Sequence, residues 1–276
     1  MGILLGLASG LSCGLADFFG GFASRRMNAA AVAFVSQVVG TALAVVAILI
    51  MRPDLPSWSA LGLGAIAGVC GGLGVLAFYK ALAMGTMSLV APVSALGAGV
   101  PMVFGIVDGE RPSPMALVGA VIAFAGAVLA SRAPGHASRR GLGLAALAAL
   151  GFGAFFVLIA PAAETSVLWA GLSTRVSSVP VLLAVCLAIR TSVRVGTGLW
   201  PLVLGAGLLD IVANVAYAAA TQHGLLSIVS VLAGLYPVAT VILAQAVLHE
   251  RLSRGQAAGV AAALIGVGLI AAGSGP

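Results

Sequence analysis

Residues 107–113 read VDGERPS and residues 247–253 read VLHERLS. In each, a Glu-Arg pair and a serine separate two apolar runs. Glu110-Arg111-x-Ser113 and Glu250-Arg251-x-Ser253 stand 140 positions apart. Only 7% of the 276 residues are charged, against about 25% in a soluble domain. Charged punctuation used twice in such a chain marks a repeated junction.

The match spreads outward from that junction. Tyr79 pairs with Tyr217 at a spacing of 138, and Gly85-x-x-Ser88-x-Val90 pairs with Gly224-x-x-Ser227-x-Val229 at 139. Gly119 and Gly126 pair with Gly259 and Gly266 at 140. A drift of two positions over this length is the mark of an internal repeat, and the Glu-Arg-x-Ser element is one hinge present in both halves.

Composition sets the class. The chain is 61% hydrophobic, with a mean hydropathy of +1.19. A spanning helix needs roughly 20 apolar residues. Arginines, prolines and short polar clusters divide the chain into ten such runs, near 3–22, 29–51, 59–84, 88–107, 114–131, 141–162, 167–189, 199–222, 225–248 and 253–272. The hydrophilic segment 132–140, RAPGHASRR, divides them five and five. The expected fold is therefore an all-α polytopic membrane protein, ten transmembrane helices arranged as two inverted five-helix repeats. The first repeat covers 1–131, a basic linker 132–140 and the second repeat 141–276. An odd number of helices per repeat inverts the second copy, a build shared by many secondary transporters.

The net charge of +6 is carried almost wholly by arginines between the runs. That places the positive charge at membrane orientation rather than at nucleic acid. Nine basic residues follow helices one, five, seven and nine, while Arg52 and Arg111 follow the even-numbered helices up to eight. The positive-inside rule then places both termini outside the cytoplasm. Trp58, Trp169 and Trp200 fall beside helix starts, as interfacial anchors do. Cys13, Cys70 and Cys186 are isolated and read as packing residues. No Gly-x-Ser-x-Gly or His-Glu-x-x-His motif occurs, so hydrolysis has no support.

The stretches SLVAPVSALGAGVP (88–101) before GERPS, and SIVSVLAGLYPV (227–238) before HERLS, are each followed by a small-residue helix, GAVIAFAGAVLAS (119–131) and GVAAALIGVGLIA (259–271). In these segments the chain resembles the drug/metabolite transporter superfamily, in its ten-helix EamA-type branch. The resemblance spans nearly the whole sequence. It implies transport of a small molecule by alternating access, usually export, across the plasma membrane (a bacterial inner membrane). It implies no cofactor and no covalent chemistry. The partners are then the substrate, protons and membrane lipid, without nucleic acid; the oligomeric state is left open, a monomer being compatible with it. The family often has Trp-Gly in its first helix; here that helix reads CGLADFFGG (13–21).

An intramembrane charge is costly, so each one asks for a role. Asp17, Arg175 and Asp210 lie inside apolar runs, with Lys80 near the end of the third. Asp210, Asn214 and Tyr217 share one helix face by spacing. The repeat partner of Arg175 is Gln37, and that of Asp17 is Phe155, so these charges break the symmetry of the halves. The expected substrate-binding set is Asp17, Gln37, Tyr79, Lys80, Ser94, Arg175, Asp210, Asn214, Tyr217 and Tyr236. Asp17 and Asp210 are the expected proton sites. Pro92, Pro101 and Pro237 interrupt the fourth and ninth helices and are expected at gates. Charges of both signs lean toward an amino acid or related zwitterion. A non-transporting sensor or scaffold, or a sugar or drug carrier of the same fold, is the alternative.

Overall fold

The computed structural model describes residues 1–83, 90, 93–130, 139–236, 238–239 and 253–273. Pro92, Pro237, the second Glu250-Arg251 pair and most of the basic linker lie outside them. The described residues are helical, without strands. The helices are α1 (Gly2–Ser24), α2 (Ala29–Met51), α3 (Trp58–Ala83), α4 (Gly99–Val107), α5 (Pro114–Ala130), α6 (Arg139–Ala162), α7 (Val167–Ala188), α8 (Trp200–Thr221), α9 (Leu226–Ala233) and α10 (Arg254–Gly273). A 3-10 turn, Leu96–Ala98, leads into α4. Helices α1, α2, α3, α6, α7 and α8 are each long and apolar enough to cross a bilayer unaided.

Local signals explain where the helices begin and end. Asn28 caps α2, its Oδ1 accepting the Ala30 N–H at 2.9 Å. Ser166 caps α7 through the Trp169 N–H. Ser113 of VDGERPS caps α5, accepting the Ala116 N–H at 3.1 Å, and Pro114 fills the first helical position, where no N–H is needed. Gly109, at φ +105°, makes the reversal just before it. Arg52 ends α2 in the left-handed region at φ 47°. Trp169 also ties the α2–α3 loop to α7, its Nε1 donating to Pro53 O at 3.2 Å.

The packing obeys a two-fold relation that exchanges α1–α5 with α6–α10. Helix α3 packs densely on α6, and its counterpart α8 packs equally on α1. Helix α3 also packs on α7, as α8 does on α2. Each repeat thus closes on the other rather than on itself. Three helices cross their own counterparts. Gln37 of α2 meets Arg175 of α7, 138 positions on. Along the segments that carry α4 and α9, Ser94 ahead of α4 meets Tyr236 beyond α9, Ala98 meets Gly234 and Gly105 meets Ser227, an antiparallel order. In the α5/α10 pair, Gly119 meets Gly266 while Gly126 meets Ala263 and Gly259, again antiparallel. Counterparts that run antiparallel are what an inverted repeat demands.

The α5/α10 crossing is the closest. A Cβ on Gly119 would stand 2.7 Å from Gly266 O, and one on Gly126 would stand 2.8 Å from Gly259 O. Small residues let backbones approach in this way within lipid, where no hydrophobic force holds helices together. The pair touches the rest mainly through α9, and its outer face, including Val118, Val121, Leu264 and Ile265, is exposed.

The junction motif also binds the halves together. Glu110 follows α4 in the first repeat, yet its carboxylate accepts the N–H groups of Leu226 at 2.5 Å and Ser227 at 2.8 Å. It caps α9 of the second repeat, where the free N–H groups and the helix dipole favour an anion.

Candidate functional site

A cavity opens between α1, α2, α3, α6, α7 and α8, and Tyr236 closes part of its wall. Its non-atom space, mouth included, is about 550 Å³. Among the described residues neither α5 nor α10 contributes to the lining. The floor on α3 is glycine: Gly68, Gly71 and Gly72. Gly68 and Gly72 also receive Thr174, Ser177 and Ser178 of α7, and Gly71 receives Phe155 of α6. Side chains there would push α6 and α7 away and close the space. Phe152, Phe155 and Phe156 form the apolar wall.

The polar side is built around Arg175. Its side chain is only 3% exposed, and Nη1 lies 2.6 Å from Asp210 Oδ2. The same Nη1 donates to Gln37 Oε1. Gln37 closes the triangle, its Nε2 donating to Asp210 Oδ2 at 3.3 Å. Ser178, one turn after Arg175, donates to Gln37 Oε1 at 3.0 Å. Breaking a buried ion pair by removing one partner costs about 3–5 kcal/mol, so this cluster fixes how α2, α7 and α8 sit together. Asp210 is the more accessible member, with its side chain 21% exposed.

Asp17 stands apart from that pair. It is 6% exposed and lines the same cavity. Its one hydrogen-bond partner among the described residues is the Cys13 thiol one turn earlier, 3.8 Å away. No described cation pairs with it. The lining therefore holds two acids and one base, with charge of both signs facing a single space.

The sequence-derived residues divide clearly. Asp17, Gln37, Arg175, Asp210, Asn214 and Tyr236 line the cavity. Ser94 stands behind Tyr236, the two hydroxyls 2.6 Å apart. Tyr217 shares the helix face of Asp210 but lies two turns further on, fully buried. Its hydroxyl donates to Phe156 O at 3.3 Å, and its ring meets the Phe156 ring at 4.4 Å between centroids. It packs beneath the cavity without lining it. Tyr79 is buried against Gly20 of α1, and Lys80 is exposed; neither lines the cavity. Pro101 is buried in the first turn of α4. Cys13, Thr174, Ser178 and the three phenylalanines join the lining without having been picked out. Cys13 at Asp17−4 and Ser178 at Arg175+3 carried the helical-spacing signal that could have found them.

Fold and site together define a multi-pass membrane carrier of small molecules. The chain belongs to the EamA-like transporter family, whose model matches residues 1–132 and again residues 139–272. The family is one of transporters rather than enzymes. One solved chain, titled only "Crystal structure of protein", superposes with a TM-score of 0.80 over 97% of this chain and 94% of its own, at 18% identity. At that identity the likeness is one of fold. No curated protein matches the chain.

Proposed function

We propose that this protein exports a small zwitterion, an amino acid or close relative, by alternating access coupled to protons. The observation that carries the reading is the cavity itself, with Arg175 on one wall and, in the same space, an Asp17 that pairs with no cation among the described residues. A carboxylate buried away from any cation is costly while ionised. A proton or a substrate ammonium each offsets that cost, so the two compete for one place. Proton entry can then be exchanged for substrate exit. Asp210, the ion-pair partner of Arg175, is the second proton site in this proposal.

The crossing of α2 and α7 supplies a natural pivot. Residues on the relation that exchanges the repeats stay central while the two sides alternate. Pro101, in the first turn of α4, is one gate in this proposal; Pro92 and Pro237, the other two, lie outside the described residues. The repeats are taken as 1–131 and 141–276 about the basic linker, in a bacterial inner membrane with both termini outside the cytoplasm.

Counterflow in proteoliposomes tests the reading. Vesicles loaded with the twenty amino acids as a mixture should accumulate at least one labelled amino acid, saturably and with a response to an imposed pH gradient. Asp17→Asn and Asp210→Asn should lose that response. Absence of counterflow for all twenty would overturn the zwitterion reading. Unchanged pH response in both variants would overturn the coupling.

A further inference from the structure

The guanidinium of Arg175 uses one corner and leaves one edge. Nη1 carries both Asp210 and Gln37. Nε and Nη2 have no hydrogen-bond partner among the described residues, and both are buried. These two nitrogens are not scattered leftovers. In an arginine, Nε–H and one N–H of Nη2 point the same way and form the side-on fork that takes both oxygens of a planar anion. Buried donors left without an acceptor are costly, more so on a charged group, and in native structures they call for an explanation.

We infer that this Nε–Nη2 edge is the seat of a substrate carboxylate, held side-on by two parallel hydrogen bonds while Asp210 keeps its place on Nη1. The inference rests on the transport reading above and names the group that reading leaves open. Three features select a carboxylate. The fork is planar and matches two oxygens on one centre. The surroundings already hold Asp17 and Asp210 beside a single arginine, so a dianion such as a phosphate monoester would bring excess negative charge into a buried site. A monoanion bearing an ammonium for Asp17 leaves the site's charge balance unchanged. Gly40 of α2 lies directly beside the guanidinium, where a Cβ would stand 3.4 Å from Nε, so the α2 backbone packs against that edge in this arrangement. Both donors are closed to solvent in this arrangement, so the seat requires α2 and α7 to part at that edge during the cycle. Lys80, exposed and away from the lining, is not the anion site.

The test uses the purified full chain and matched probes. Each of the twenty amino acids is compared with its carboxamide and with its decarboxylated amine in a thermal-shift titration, since a ligand of the folded state raises the melting temperature. At least one acid should bind. Its amide and amine should bind roughly ten- to hundred-fold more weakly, the loss of charge-assisted hydrogen bonds. Arg175→Lys retains the charge facing Asp210 but removes the fork, and should weaken the acid by a similar factor while leaving the amine unchanged. If that variant does not fold, the wild-type comparison stands alone. Amide or amine binding within about threefold of the acid, or no binding by any acid, would overturn the seat. The same solutes in proteoliposomes separate this from the parent reading. Amines that move as fast as acids would refute the seat and keep the transporter. An acid that binds as described but never moves would support the seat and refute the transport of zwitterions.

Discussion

Two crossings of the same kind have been put to opposite uses. At α5/α10 a helix meets its own counterpart through Gly119, Gly126, Gly259 and Gly266, the same residue type on both sides. At α2/α7 the counterparts are Gln37 and Arg175, which differ in charge and bond directly to each other. The first crossing is symmetric, apolar and close. The second is asymmetric, polar and faces the cavity. Where a repeat only has to hold its halves together, small identical residues suffice. Where it has to recognise one molecule, the copies must differ, because few solutes share the two-fold symmetry of the protein.

Making the polar crossing symmetric is the harshest way to break the comparison. Arg175→Gln gives both positions the same side chain and leaves Asp210 without its cation. Stability should fall by about 3–5 kcal/mol, the cost of removing one member of a buried pair, and substrate counterflow should vanish. Denaturant or thermal titration in detergent, alongside counterflow, checks both. Spoiling the symmetric crossing comes next. Gly126→Leu puts a side chain where Gly259 O and the Ala263 backbone already lie. The expected loss is about 1–3 kcal/mol from overpacking, with the substrate KM unchanged in the protein that remains folded. A changed KM would show that α5 and α10 shape the site. The third crossing, α4/α9, is intermediate, asymmetric in one polar pair. Tyr236→Phe removes the hydroxyl that meets Ser94, and should cost about 1 kcal/mol, read as a small fall in melting temperature.

Much of this contrast was legible before any coordinates. Apolar run length gave the ten helices, because the bilayer imposes a minimum span. The shared pattern of VDGERPS and VLHERLS, with matches spreading outward at spacings of 138 to 140, gave the repeat. That Arg175 corresponds to Gln37 was also readable by alignment. That the two touch was not: a repeat says which residues are equivalent, and only the packing says which equivalents lie on the relation between the copies. Tyr217 shows a second limit. Spacing placed it on the face of Asp210 and Asn214, but seven residues of helix rise about 10 Å, far enough to leave the cavity and enter the packing beneath it. Cys13 shows the converse. An isolated cysteine in an apolar run reads as a packing residue, yet one turn from Asp17 it faces the space that aspartate faces. The Glu-Arg hinge was legible as a helix-ending element, but not its reach, since Glu110 caps a helix of the other repeat.

Cys13 also allows the most direct test of alternating access at this site. Replacing Cys70 and Cys186 by serine leaves Cys13, in the cavity wall one turn from Asp17, as the single thiol. A membrane-impermeant thiol reagent is then applied to oriented vesicles, first from one side and then from the other. Alternating access about the Gln37–Arg175 crossing predicts labelling of Cys13 from both sides, each slowed by a transported amino acid. Labelling from one side only, whatever solute is present, would contradict it.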